Sequence, residues 1–394
     1  MTKKFYVFLI SAVVFATVFG VVGVMPTSTS AKPLARKIVV FDSNVINESA
    51  QDALLARFGA VKIKNLDLIG GKVVYLPPTA EALLKHRPGI LRIEDDAVVY
   101  ALGKRAPSQP AEVLPWGINR IDADLVWGVT TGDPIKVAIV DTGIDLTHPD
   151  LAVNVKGGYN AINPLKSAAD DNGHGTHVAG IVAALDNTIG IIGVAPRADL
   201  YAVKVLSRTG SGYVSDIIEG LDWAIANGMQ VVNMSLGTSA DIQSFHDAIV
   251  RAYQAGLVLV AAAGNNYGGA VDYPARYPEV VAVSATDSLD NIASFSSVGP
   301  EVDLAAPGAS IYSTYKDSVY KTLSGTSMAA PHVVGAAALV LTMPVGTYDL
   351  DADGVWDPGE VQNKLEVMAE DLGLAGRDNF YGAGLVDVEK AVLE

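Results

Sequence analysis

The sequence predicts an α/β fold, a doubly wound and mostly parallel sheet with helices on both faces. Short apolar runs rich in β-branched residues recur after residue 134, and amphipathic segments with helical spacing alternate with them. The runs are Ile135–Val140, Leu200–Leu206, Val231–Ser235, Leu257–Ala263 and Val280–Ala285, and the helical segments are Ser215–Asn227, Asp241–Ala255 and Ser327–Thr342. The chain has 394 residues, half of them hydrophobic, which is enough for a large core.

The N-terminus is typical of a secretory signal. Lys3 and Lys4 precede an apolar run from Phe5 to Val24, and the small residues Thr27–Ala31 follow. We expect residues 1–31 to be removed, which leaves a secreted protein without stable membrane association. The run is also about long enough to span a bilayer, so a retained anchor is the alternative.

The pattern of apolar residues along 32–102 predicts a small α+β domain. Strand patterns lie at Lys37–Asp42, Val73–Leu76, Ile90–Glu94 and Ala97–Leu102, and helical spacing lies at Ser49–Phe58 and Thr79–His86, the second with Thr79 as its cap. The polar segment Gly103–Pro110 contains two prolines and is interpreted as a linker before the large domain, residues 103–394.

Charge divides the chain at the same place. Residues 1–102 carry 12 Lys and Arg against 8 Asp and Glu, whereas the rest carries 16 against 35. The two parts would attract one another, although two domains with different surfaces explain the same split. A net charge of −15 disfavours a nucleic acid partner, and the absence of Cys excludes disulfides and thiolate chemistry.

Three segments carry residues suited to acyl transfer. Asp141 ends a buried strand, His174 lies in Asn172–Gly180, and Ser327 lies in Ser324–His332 at the start of a helix. A histidine can take the proton of a serine near neutral pH, and a carboxylate on its other ring nitrogen fixes the tautomer. Free N–H groups at a helix N-terminus can stabilise the oxyanion that forms.

These segments resemble the signature blocks of the subtilisin family of serine proteases. The blocks are DTGID at 141–145, HGTHVAG at 174–180 and GTSMAAPH at 325–332, and the resemblance runs from about Leu114 to the C-terminus. It implies that Asp141 orients the imidazole, that His174 is the general base and then the acid, and that Ser327 is the nucleophile.

The resemblance also implies an oxyanion donor and a cleft for polypeptide substrates. Asn265 would donate its side-chain amide to the oxyanion. Two strands would pair with an extended peptide, one containing Ser235, Leu236 and Gly237 and the other Gly210, Ser211 and Gly212. Ala262 and Gly264 would wall the first specificity pocket, the pocket for the side chain that precedes the cleaved bond.

Asp272 departs from the family pattern, which often has a small residue at the floor of that pocket. A carboxylate there would favour Lys or Arg in the substrate, as a charged floor does in trypsin. A loop aspartate that faces solvent is the equal alternative.

Residues 32–102 resemble the family's inhibitory propeptide, a ferredoxin-like α+β domain. The resemblance implies an intramolecular inhibitor and folding aid, with Leu102 in the active-site pocket and autocatalytic cleavage between Leu102 and Gly103. Cleavage after Lys104–Arg105 is the rival and would suit an acidic pocket.

An acidic loop at residues 349–360 predicts a calcium site. Asp349, Asp351, Asp353, Asp357 and Glu360 occupy the carboxylate positions of an EF-hand loop, with the carbonyl of Val355 at the seventh position. An acidic surface loop without an ion is the alternative.

The resemblance implies a second calcium site. Its ligands would be Asp150, Glu112, Asn187 and the carbonyl groups of Leu185, Ile189 and Ile191. Glu112 stands where the family often has glutamine, so a charge would be added to the site.

The sequence therefore predicts a secreted, monomeric, calcium-stabilised serine endopeptidase that is autoprocessed from a propeptide-inhibited precursor. Two alternatives remain at this point. One is a selective processing protease that cuts after basic residues, and the other is a non-enzymatic protein that binds peptides on a protease fold.

Overall fold

A computed structural model describes residues 34–66, 69–96 and 109–394, which form two compact units divided near residue 104. The predicted signal peptide, the strand at 97–102, the cleavage site at Leu102–Gly103 and the Lys104–Arg105 pair lie outside the described residues. Within those residues, no helix has the length and apolar character needed to cross a bilayer.

The N-terminal unit has the order βαββαβ. Its elements are β1 (Ala35–Phe41), α1 (Glu48–Arg57), β2 (Val61–Leu66), β3 (Gly71–Leu76), α2 (Pro78–Leu84) and β4 (Ile90–Asp95). The sheet is antiparallel in the order β2-β3-β1-β4, which agrees with the ferredoxin-like α+β prediction. A small apolar core lies between this sheet and the two helices, around Val39, Leu55, Val74 and Leu84.

Two details of this unit differ from the prediction. Thr79 does not cap α2, because the helix begins at Pro78 with Pro77 as its N-cap. Proline already has the φ angle of a first helical residue, so the Pro-Pro pair moves the start upstream. Strand β2 was not predicted, because its apolar residues Val61 and Ile63 are exposed and follow no buried pattern.

The C-terminal unit contains seven parallel strands in the order β11-β10-β9-β8-β5-β7-β6. The strands are β5 (Lys136–Asp141), β6 (Val155–Asn160), β7 (Asp199–Lys204), β8 (Val231–Met234), β9 (Val258–Ala262), β10 (Val281–Thr286) and β11 (Leu304–Pro307). A separate hairpin is formed by β12 (Ile311–Tyr315) and β13 (Val319–Leu323).

Helices cover both faces of this sheet, as predicted. The helices of the unit are α3 (Trp116–Arg120), α4 (His174–Ala183), α5 (Val214–Ala226), α6 (Gln243–Gln254), α7 (Thr326–Val340), α8 (Pro358–Met368) and α9 (Val388–Leu393). Alternate residues of β5 enter different cores: Val137 and Ile139 pack with α4 and α7, whereas Ala138 and Val140 pack with α5 and α6. The doubly wound α/β fold is therefore confirmed.

Both edge strands and α4 were missing from the sequence prediction. The edge strand β6 contains Gly157 and Gly158 and is largely exposed, so it lacks an apolar run. The opposite edge, β11, has four residues and ends in Pro307. Helix α4 has almost all its residues buried and therefore shows no polar face, although it begins at His174 within the second signature segment.

Candidate active site

The site lies where the order of the strands reverses. The chain runs from β5 to β6 and β7 on one side and continues with β8, β9 and β10 on the other. The carboxyl end of β5 therefore opens into a crevice between diverging connections, the usual place for a ligand in an open α/β sheet. Asp141 is the last residue of β5 and is fully buried there.

Asp141 and His174 form a hydrogen-bonded pair. His174 is the first residue of α4, and its Nδ1–H donates to both carboxylate oxygens of Asp141 at 2.9 Å. Burial alone would lower the pKa of His174, but the charge of Asp141 and this hydrogen bond outweigh burial and raise the pKa above its ordinary value. The side chain remains 28% exposed, so its other nitrogen can reach a substrate.

Charged residues that sequence reasoning missed hold this pair in place. The carboxylate of Asp170 accepts hydrogen bonds from the Thr142 hydroxyl, from the main-chain N–H groups of Asn172, Gly173 and Thr176, and from the Thr176 hydroxyl. Asp170 thereby supplies hydrogen-bond acceptors for main-chain N–H groups at the start of α4, which have no partner within the helix. The first residue of this helix is His174. Its position four residues before His174 is the signal that could have identified it as a helix-capping carboxylate.

Lys204 fixes the same corner from β7. It is 6% exposed, and its Nζ donates to the carbonyl oxygens of Thr142 (2.7 Å) and Leu206 (2.8 Å) and to the carboxylate of Asp171 (2.7 Å). Lys204 faces Asp141 across the β5–β7 register. A lysine inside an apolar strand was the available signal, since such a residue is almost never buried without partners.

Ser327 lies at the second position of α7, as predicted. Its hydroxyl donates to the main-chain carbonyl of Ser235 at 3.3 Å, and the Ser235 hydroxyl donates to the main-chain carbonyl of Ser327 at 2.8 Å. Ser235 and His174 line one cleft. The Ser327 hydroxyl is thus held against Ser235, a residue that lines the same cleft as His174.

Asn265 presents its amide nitrogen beside the main-chain N–H of Ser327. The Asn265 side-chain oxygen accepts from the main-chain N–H (3.0 Å) and hydroxyl (3.2 Å) of Thr326. No described residue accepts a hydrogen bond from its Nδ2, which can therefore donate to a bound oxyanion. A Cβ built on Gly325 would lie 3.5 Å from this Nδ2 and 3.7 Å from the nitrogen of Ser327. Two donors therefore flank the space above Gly325, an arrangement that suits an oxyanion.

The predicted substrate segments line one cleft of about 900 Å³ together with His174. Both segments, Ser235–Gly237 and Gly210–Gly212, belong to its lining. Neither segment is a regular strand. Ser235–Gly237 follow the end of β8, and Gly210 lies in a turn with φ +74°. Ala262 is buried in the core beneath and does not line this cleft.

Asp272 lies beside Gly264 of the predicted pocket and Gly237 of a predicted substrate segment. Its carboxylate oxygen Oδ2 is 2.5 Å from a Cβ built on Gly264 and 3.6 Å from one built on Gly237. Among the described residues, no hydrogen bond or ion pair engages this carboxylate. The side chain therefore lies against Gly264 and Gly237. Of these three predicted residues, only Gly237 lines the cleft described above.

Two other histidines of the signature segments are structural. The Nε2–H of His177 donates to the carbonyl oxygens of Ile311 and Lys321, and burial lowers the pKa of His177 to about 4. His332 donates from Nδ1 to the carbonyl of Met328, and burial lowers its pKa to about 4 as well. Both stay neutral near pH 7, and of these three histidines only His174 lines the cleft.

The residues predicted for the second calcium site come together. Asn187 donates its main-chain N–H to Glu112 and its side-chain amide to Asp150, each at 2.7 Å, and the N–H of Ile191 donates to Asp150 at 3.0 Å. Asp150 is fully buried, and burial raises its pKa to about 6. No described basic side chain pairs with it, so these hard oxygen donors fit a calcium ion.

The loop at 349–360 gathers carboxylates in the manner of an EF-hand. Oxygens of Asp349, Asp351 and Asp353 lie within 4.8 Å of one another. The carboxylate of Glu360 accepts from the main-chain N–H groups of Leu350 and Asp357, which brings the twelfth position back to the first. An α-helix, α8, leaves the loop, whereas only a single 3₁₀ turn at Gly346–Tyr348 enters it. The donors again fit calcium.

Comparison with known proteins agrees with the sequence resemblance. A sequence model of the subtilase family matches residues 132–384. The alkaline protease of Alkalihalobacillus alcalophilus is 46% identical over 319 residues, which are 81% of this chain and 78% of the relative. Subtilisin Savinase of Lederbergia lenta is 48% identical over 71% of this chain and 99% of its own. Subtilisin J of Geobacillus stearothermophilus is 38% identical over 99% of both chains.

Proposed function

The chain belongs to the subtilase family and is a serine endopeptidase, and from this premise we propose that Asp141, His174 and Ser327 are its catalytic triad. The non-enzymatic alternative is thereby set aside. The observation that carries the assignment is the hydrogen bond from His174 to the buried Asp141, at a cleft that His174 lines together with Ser235. Ser235 in turn accepts the Ser327 hydroxyl.

The proposed reaction proceeds through an acyl-enzyme. His174 takes the proton of the Ser327 hydroxyl as the oxygen attacks the peptide carbonyl, and Asp141 stabilises the imidazolium that forms. The oxyanion accepts hydrogen bonds from Asn265 Nδ2 and the N–H of Ser327. His174 then protonates the leaving amine, and a water molecule, activated by the same imidazole, releases the acyl group.

Secretion, a propeptide and bound calcium complete the proposal. Subtilisin Savinase matches 71% of this chain along 99% of its own length, which supports an N-terminal part that is separable from the enzyme. The ferredoxin-like unit of residues 34–96 supports an inhibitory propeptide. Calcium, held by the Asp150 cluster and by the loop at 349–360, would stabilise the monomeric folded enzyme in the manner of any ligand that binds only the native state.

Intact mass and N-terminal sequencing test the function and the processing together. Purified full-length protein and Ser327→Ala are incubated with calcium. The wild type should yield a chain that starts at Gly103, whereas Ser327→Ala should stay joined. Equal cleavage of both proteins would contradict Ser327 as the nucleophile, and a start at Ala106 would move the processing site to Lys104–Arg105.

A second candidate function is cleavage after basic residues, and the place of Asp272 favours it. A carboxylate without a described partner beside Gly237 and Gly264 can pair with a substrate Lys or Arg. Fluorogenic peptides that differ only in the residue before the cleaved bond measure the substrate preference of the wild type and of Asp272→Asn. Asp247→Asn is the control, because Asp247 is an exposed carboxylate on α6. An unchanged profile in Asp272→Asn would remove this candidate and leave large apolar side chains as the preferred ones.

A further inference from the structure

A proline in α7 leaves the main-chain carbonyl of Ser327 without its helical partner. In an α-helix this oxygen would accept from the N–H four residues later, and that residue is Pro331, which has no N–H. The Ser235 hydroxyl fills the position, since it donates to the Ser327 carbonyl at 2.8 Å. The first turn of α7 is therefore tied to the sheet through a side chain of the segment that follows β8.

The donor to Ser235 is a buried amide. Asn233, in β8, is fully buried, and its Nδ2 donates to the Ser235 hydroxyl oxygen at 3.0 Å. This bond occupies a lone pair of the hydroxyl and directs its proton to the Ser327 carbonyl. The Ser235 carbonyl also accepts a hydrogen bond from the Ser327 hydroxyl. The main-chain carbonyl and the hydroxyl of Ser327 therefore both depend on the placement of Ser235.

Stability alone does not account for Asn233. Its side-chain oxygen Oδ1 is buried in the sheet, where the neighbouring positions are Ile139 and Val260, and no described residue donates a hydrogen bond to it. An apolar side chain would avoid the cost of this unsatisfied oxygen. Among the described residues, the hydrogen bond to Ser235 is therefore the only one that the Asn233 side chain makes.

We propose that Asn233 is a positioning residue for the nucleophile, acting through Ser235 on the first turn of α7. The inference rests on the proposed role of Ser327. Asn233 keeps the Ser235 hydroxyl directed at the Ser327 carbonyl, and this contact replaces the hydrogen bond that Pro331 removes. The hydroxyl oxygen of Ser327 is thereby held in position for attack, and the main-chain N–H of Ser327 is held in position to bind the oxyanion.

Asn233→Leu separates this role from a structural one. We expect kcat to fall about tenfold to a hundredfold with KM within about twofold, the loss expected when a reacting group is misplaced. The temperature of unfolding should stay the same or rise. Asn233→Ala, which needs no additional room, is the second variant. Thr286→Val is the control and should keep the wild-type kcat. The hydroxyl oxygen of Thr286, in β10, is also buried and has no hydrogen-bond partner in the part of the chain that the structure describes.

Two further variants, each combined with Asn233→Leu, test whether Asn233 acts through Ser235. Ser235→Ala should lower kcat to a similar extent, and adding Asn233→Leu to it should lower kcat no further. Pro331→Ala returns the missing N–H, so Asn233→Leu should cost at most about threefold there, because coupled sites are not additive. Loss of stability with unchanged kcat in Asn233→Leu, or full additivity with Ser235→Ala, would overturn the inference. Full activity in Ser327→Ala would instead overturn the proposed function.

Discussion

The two halves of the proposed catalytic cleft are built from different interactions. The acid–base half, Asp141 and His174, is held by charged groups, namely the carboxylate of Asp170 and the ammonium of Lys204. The acyl half, Ser327 and Asn265, is held by neutral hydrogen bonds to Ser235 and Thr326. Within the described residues, no ion pair involves a side chain of the acyl half.

The difference follows from what each half must do. An imidazole must gain and lose a proton near neutral pH, and nearby charges set its pKa. An oxyanion hole must present fixed dipoles at the correct distance, and neutral donors with satisfied partners do so without reorganisation. Substitutions in the acid–base half should therefore change the pH dependence of activity, whereas those in the acyl half should change kcat at every pH.

Asp141→Asn should have the largest effect among the variants that retain Ser327. We expect kcat/KM to fall about 10⁴-fold, the loss that follows when a triad histidine is held in the wrong tautomer. The wild-type profile should rise with pH through a pKa above that of free histidine, because the pKa of His174 is raised and only its neutral form is a base.

In Asp141→Asn the rise should move to lower pH. Burial, which alone lowers the pKa of His174, would then be unopposed by the aspartate charge. The pH profiles of kcat/KM for both proteins check this result. An inflection that stays in place would show that another group controls it.

Asn265→Leu should lower kcat by about 10²–10³-fold and leave KM nearly unchanged, the loss measured for the corresponding asparagine of a subtilisin. The pH at the inflection should not move, since the variant alters no charge. Steady-state kinetics across the pH range provide the measurement. A shifted inflection would break the distinction between the two halves.

Lys204→Met should lower kcat about tenfold, because the carbonyl groups that frame Asp141 lose their common donor. Lys364→Met is the matched control. Lys364, on α8, is also 6% exposed, but its ammonium group lies over the ring of Tyr348. Both variants should unfold at lower temperature, and only Lys204→Met should lose kcat. Equal kinetic losses would assign the effect to general destabilisation.

Loss of the calcium loop should have the smallest kinetic effect, since the loop belongs to neither half. Tb³⁺ bound in the loop in place of calcium can be excited through Trp356, a residue within the loop. Asp351→Asn should weaken this luminescence, because it removes a carboxylate ligand. Saturating calcium should stabilise the wild type by about 2.7 kcal/mol at one hundred times its Kd, and less in the variant. Thermal unfolding with and without chelator measures this. Unchanged stabilisation in Asp351→Asn would place the bound calcium elsewhere.

The sequence predicted the central strands and the reacting residues more completely than their supports. Buried strands such as β5 and β9 have continuous apolar runs, whereas β6 at the sheet edge has two glycines and an exposed face. Asp141 and Ser327 stand in local motifs that carry their chemistry. Lys204 and Asn233 act through tertiary contacts with distant residues, and a single sequence does not encode those contacts in its spacing.

Labelling with a fluorophosphonate is the most direct test of the triad. The probe phosphonylates an activated serine hydroxyl and releases fluoride, and peptide mapping locates the label. The account predicts one labelled peptide, containing Ser327, with no label in Ser327→Ala and labelling slowed at least about 10³-fold in His174→Ala. A label on another residue, or equal labelling of Ser327→Ala, would contradict it.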